Sequence, residues 1–101
     1  MKIHSAKNFD ELRPTVQIIS HQPPGEKLVS RAQAKELIRR FENSKTITLD
    51  FAGVTEIGQA FGDEIFRVFQ NAHQDIQLVP INMAPVVLQM VSRAKTGQST
   101  R

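Results

Sequence analysis

Four carboxylates fall within one short stretch: Asp50 near the end of a β-rich run, then Glu56, Asp63 and Glu64. Ligand and metal sites in α/β sheets gather at the carboxyl ends of strands. A magnesium site from Asp50, Glu56 and Asp63 is therefore the catalytic chemistry this stretch could support. Such chemistry would also want a nucleophile beside a base, or a cation against developing charge, yet no Lys or Arg occurs between Asp50 and Arg67. The structural reading is favoured: Asp50 accepts from backbone amides in the turn that follows it, and Asp63 and Glu64 complement a helix dipole. His4, His21 and His73 lack the spacing that puts two imidazoles on one helix face, and they read as surface residues. The absence of cysteine removes disulfides, thiolate ligands and thiol nucleophiles. No glycine-rich phosphate loop is present, and the Gly58/Gly62 pair reads as a close backbone approach. No enzyme activity, metal or cofactor is expected.

The elements that would position these residues follow from pattern. Thr15–Ser20 (TVQIIS) is short and β-branched, bounded by Pro14 and HQPPGEK, and predicts a strand. A shorter extended piece at Lys2–His4 has a weaker signal. Ser30 and Gln33 stand in capping-box order, and Ala34, Leu37, Ile38 and Phe41 then recur at helical spacing. Thr46–Phe51 predicts a second strand with Ile47, Leu49 and Phe51 on one face. The turn AGVTEIG leads into a second helix over Gln59–His73, with Phe61, Ile65, Val68, Phe69 and Ala72 as its buried stripe. Asp75–Pro80 predicts a third strand. A last helix starts near Asn82 as its cap, admits Pro85 in its first turn, and carries Val87, Met90, Val91 and Ala94 inward. The residues from Lys95 onward read as a frayed basic tail.

Strand–helix alternation favours an α/β domain with a three- to four-stranded, mostly parallel sheet and about three helices. A sheet this small would carry its helices chiefly on one face, so an edge or face is open to self-association, and a homodimer is one expectation. At 101 residues the chain suits a single domain over 1–101. Nothing approaches the roughly 18 apolar residues that span a membrane, and the polar start MKIHSAKNFDELRP does not read as a secretory signal. A cytoplasmic protein is expected. The net charge of +3 is modest. Arg31, Lys35, Arg39 and Arg40 on the first helix form the alternative, a nucleic-acid-binding surface aided by the basic tail, although Glu36 and Glu42 interrupt it.

The segments LVSRAQAKELI, ITLDFAGVTEIGQAFGDEIFRVF and DIQLVPIN occur in order between about residues 28 and 91. Together they resemble a STAS-like family of unknown function, a bacterial relative of anti-sigma factor antagonist domains. The resemblance implies a protein-interaction module in bacterial regulation or signalling, without catalysis. Its implied partner is a histidine-kinase-type ATPase or a winged-helix regulator. In the wider antagonist group a serine at the start of the second helix is phosphorylated. Here that stretch reads Gly58-Gln59-Ala60-Phe61, so the switch is not carried over. What the resemblance leaves is a platform of Thr55, Glu56, Gly58, Gln59 and Asp63 for a protein partner.

Overall fold

Thr46–Asp50 alternates polar and aliphatic residues, so its Ile47 and Leu49 side chains must leave the same face of a strand. The computed structural model, which describes residues 13–99, places that strand at the centre of a sheet. Thr15–Gln17 (β1), Thr46–Asp50 (β2) and Gln77–Ile81 (β3) run parallel in the order β1-β2-β3. The register sets Val16 beside Leu49, and Ile47 beside Leu78. These four side chains are buried. The opposite face carries Thr15, Gln17, Thr46, Thr48, Asp50 and Gln77, with Val79 and Ile81 of β3 as its partly buried apolar members.

Each passage between strands contains a helix, as the alternation predicts. The first, Arg31–Ile38 (α1), begins at the expected capping box: Gln33 N donates to Ser30 Oγ at 3.1 Å, and Ser30 N to Gln33 Oε1 at 2.8 Å. Ala34, Leu37 and Ile38 are buried, with Phe41 partly so in a 3-10 extension. The second helix (α2) is continuous over 59–72, but its middle, Glu64–Phe69, is widened into π turns. The last, Pro85–Ser99 (α3), packs against α2, and α2 packs in turn against α1. The apolar core lies between these helices and the sheet, centred on Phe51, Phe61 and Phe66.

Several boundaries differ from the sequence reading, each for a local reason. β1 stops at Gln17 because its ladder partner in β2 ends at Asp50; Ile18–His21 then coils into a 3-10 turn. β3 begins at Gln77, whose amide donates to Lys45 O, while Ile76 N is held in a turn by His73 O. Asn82 does not cap α3: it takes a left-handed φ of 56°, and Leu88 N donates to Ala84 O instead. The helix continues through Lys95 to Ser99, where a frayed tail was expected. Within α2, Phe66 is buried whereas Val68 and Ala72 are exposed, because π turns shift the phase of everything after them. The extended piece expected at Lys2–His4 lies outside the described residues.

Pro80 sits inside β3 without breaking it. The amide of Gln77 faces β2, so position 80 faces the outer side, where a missing N–H forfeits no ladder bond. That placement weakens the edge as a template for a further strand.

The two glycines of the second helix differ sharply in their surroundings. A Cβ on Gly58 would lie 2.9 Å from Val29 Cα, whereas one on Gly62 would meet only Ile57 Cδ1 at 3.5 Å and Met90 O at 3.8 Å. Gly58→Ala should therefore destabilise the protein by about 1–3 kcal/mol through forced backbone displacement. Gly62→Ala should be neutral, or stabilising by up to about 1 kcal/mol through helix propensity. Urea midpoints of the two variants test this pair, and equal midpoints would contradict it.

Candidate functional site

The parallel sheet brings the ends of all three strands, and the starts of all three helices, to one end of the molecule. There the chain leaves β2 through Phe51–Val54, closed by Val54 N donating to Phe51 O at 3.0 Å. Gly53 supplies the φ of +85° that such a turn demands at its third position. Asp50 Oδ1 accepts from Ala52 N at 3.0 Å and from Asn82 Nδ2 at 3.0 Å, tying this turn to the loop after β3. The Asn82 amide first, and the Ala52 N–H second, hold the Asp50 carboxyl below its ordinary value. Asp50 thus accepts from the turn amide, as its position in sequence suggested, with an added side-chain donor.

Beyond the turn, Val54 and Ile57 are buried and peg the loop to the core, leaving Thr55 and Glu56 outside. Gly58 N donates to Leu28 O at 2.8 Å, which docks the start of α2 against the segment leading into α1. Glu56 pairs with Lys27 at 2.8 Å, both well exposed, and Gln59 is exposed at the first position of the helix. Two large apolar side chains flank this polar corner. Ile19 lies beside Gly53 and Val29 beside Gly58, and they are 43% and 49% exposed.

One turn further on, Asp63 is 16% exposed and surrounded by guanidinium groups. Arg67 reaches it twice, from Nε at 2.5 Å and from Nη2 at 2.7 Å. Arg31 Nη1 reaches Asp63 Oδ2 at 2.8 Å and lies 3.5 Å from Glu64 Oε1, whose side chain is buried. The hydrogen bonds from Arg67, and then those from Arg31, overcome partial burial and lower the Asp63 carboxyl to about 2. Asp63 is therefore no free surface carboxylate, and its role exceeds the dipole complement read from sequence.

Thr55, Glu56, Gly58 and Gln59 form one contiguous corner, and Asp63 adjoins it through the groove lined by Arg31, Gln59, Ala60, Asp63 and Arg67. Gly58 contributes a close approach rather than a side chain. Asp50, Glu56 and Asp63 each hold different partners and do not converge; among the described residues no group of three His, Asp or Glu is placed to hold a metal. His21 Nδ1 lies against Gln17 O, while His73 stacks on Phe69 with ring centroids 4.2 Å apart. Of the four cations considered for nucleic acid, Arg31 is committed to Asp63 and Arg39 pairs with Glu36; Lys35 and Arg40 are exposed. No helix among the described residues is long and apolar enough to cross a membrane.

Sequence reasoning missed Ile19, Val29 and Arg67. Val29 precedes the Ser30 cap, a position where an apolar residue ordinarily staples back onto its own helix, so nothing marked it as exposed. Arg67 lies four residues after Asp63 on one helix face, and that spacing was a usable signal.

Comparison with known proteins places residues 33–88 in a match to a family described as a STAS-like domain of unknown function. The matched span lies inside the stretch whose motifs carried the resemblance. No curated protein and no solved structure matches the chain.

The Asp63 cluster gives the protein a specific acid response. Its carboxyl is depressed from 3.8 to about 2 on folding, so its stabilisation is complete above pH 4 and is lost as pH falls through 2. At neutral pH Asp63→Asn should lose about 1–2 kcal/mol, after allowance for the half-exposed guanidinium partners. The gap between the native protein and this variant should then close between pH 4 and pH 2. Urea titrations across that range measure it, and a gap independent of pH would remove the ion pairs as its source.

Proposed function

The chain belongs to the STAS-like domain family of unknown function, and from that premise we propose that it is a non-catalytic docking module. It captures a protein partner at the corner following β2. The observation that carries this reading is the exposure of Ile19 and Val29 on either side of Thr55, Glu56 and Gln59. Exposed apolar side chains interspersed with polar groups supply both kinds of contact that a protein interface uses. Apolar contact drives association, and the polar groups set register and reject wrong partners.

The setting proposed is a cytoplasmic bacterial regulatory or signalling system, with a histidine-kinase-type ATPase or a winged-helix regulator as the partner. Any nucleotide hydrolysis or DNA reading resides in that second polypeptide. The helix start reads Gly58-Gln59-Ala60-Phe61, with no hydroxyl to phosphorylate. Docking is therefore controlled by supply of the partner, or by changes on the partner, rather than by phosphorylation at this helix start.

The experiment is site-specific photocrosslinking in the source cells. A crosslinking residue is placed at Thr55, at Gln59, or at Lys45, which lies at the opposite end of β2. Discrete adducts from the first two positions and none from Lys45 are expected. Val29→Asp should lower the adduct yield from Thr55 by about tenfold, the effect of replacing one apolar contact by a charge. Its thermal midpoint should stay near that of the parent, since the side chain is half exposed. Equal labelling from all three positions would refute a docking surface at this corner.

A further inference from the structure

The groove beside Asp63 does not end at the corner. One lobe, about 430 Å³, is lined by Arg31, Gln59, Ala60, Asp63 and Arg67. A second, about 240 Å³, is lined by Gln59, Asp63, Arg67, Met90, Arg93 and Ala94. They share Gln59, Asp63 and Arg67, which recur every four residues along α2, so the first lobe lies on the α1 side of that row and the second, between α2 and α3, is a trough that begins at Gln59. Three guanidinium groups line the pair of lobes and one carboxylate answers them. Both Asp63 oxygens are occupied by Arg67 and Arg31, and Arg93 has no acidic partner among the described residues.

We infer that this trough binds acidic side chains, Glu or Asp, on a short segment of the protein partner. The inference rests on the docking reading above and extends it from the corner into the groove. Each guanidinium offers five N–H donors in a planar fork, and Asp63 consumes only two of those on Arg67. Arg93 and the remaining edge of Arg67 are left to take a carboxylate, with geometry suited to two parallel bonds. Met90 and Ala94 give the apolar wall that the methylenes of a glutamate would lie against. A nucleic acid fits the trough less well. A phosphate chain wants a run of free cations, whereas these surround a fixed carboxylate, and no aromatic ring lines either lobe for base stacking.

The test follows amide and arginine side-chain NMR signals of the whole chain as hexaglutamate peptide is added at low salt. Shifts centred on Gln59, Arg67, Met90 and Arg93 are expected, and they should fade as salt is raised. Arg93→Ala should weaken the peptide about fivefold or more, with an unchanged thermal midpoint because the side chain is exposed and has no acidic partner among the described residues. Arg39→Ala, on the outer side of the first helix, should leave the affinity as it was. The inference fails if shifts spread evenly over Lys35, Arg39 and Arg40. It also fails if a 12-base-pair DNA duplex binds the trough more tightly than the peptide. Absent peptide shifts alongside persistent crosslinks from Thr55 would sink the trough and spare the docking corner. Localised shifts without any crosslinks would sink the corner, and with it a partner for the trough.

Discussion

The amide of Gly58 donates to Leu28 O at 2.8 Å, and that bond is available only because position 58 has no side chain. Any Cβ would press on Val29 Cα, so the backbones of two segments, far apart in sequence, meet directly. The starts of α1 and α2 are thereby fixed beside each other, which is the condition for Arg31 on one helix to reach Asp63 on the other. Gln33 stiffens the same place from behind. Its Oε1 accepts from Val29 N at 2.7 Å and from Ser30 N at 2.8 Å, and its Nε2 donates to Lys27 O at 2.9 Å. With its amide bonded and Gly58 packed against it, Val29 has no inward space for its side chain. Its exposure is imposed by the fold, and the fold thereby sets the chemistry of the corner.

Charge and apolar surface divide the work at this end of the molecule. The exposed Lys27–Glu56 pair is screened by water and yields readily to salt. The Asp63 cluster is more sheltered and holds the two helices together. What faces outward is a corner of weakly paired polar groups flanked by Ile19 and Val29. Apolar transfer at about 25 cal/mol per Å² means that covering two such side chains would be favourable.

The features readable from sequence were those enforced by local pattern. Strand–helix alternation, the Ser30/Gln33 capping box, the Ala34–Leu37–Ile38 stripe and the Gly53 turn depend on neighbours within a few residues. Element ends were less legible because they depend on partners elsewhere: β1 stops where β2 stops, and Asn82 turns left-handed to reach Asp50. The corner itself was marked by its turn residues and by the family-like motif. Its apolar members were not, since Ile19 sits in an ordinary β-rich run and Val29 in a cap. Their exposure arises from contacts with Gly53 and Gly58, and a linear pattern carries no such pairing.

The π turns of α2 show how the fold and the corner constrain each other. An α-helix facing a core buries an i, i+3, i+4 stripe, yet here Glu64, Ile65 and Phe66 are buried in succession. A wider turn is one backbone solution that gives three consecutive residues inward positions, and π turns recur at functional sites. Two of the three are apolar and fill the core; the third is a carboxylate that must be answered. Arg31 answers it from α1 at 3.5 Å while also bonding Asp63. Arg31 is thus committed on two sides and has little to offer an incoming anion. Arg67, anchored by Asp63 along one edge, and Arg93, with no acidic partner among the described residues, are the cations that remain. The buried Glu64 therefore helps to determine which arginine is fixed on two sides and which keep unused donors.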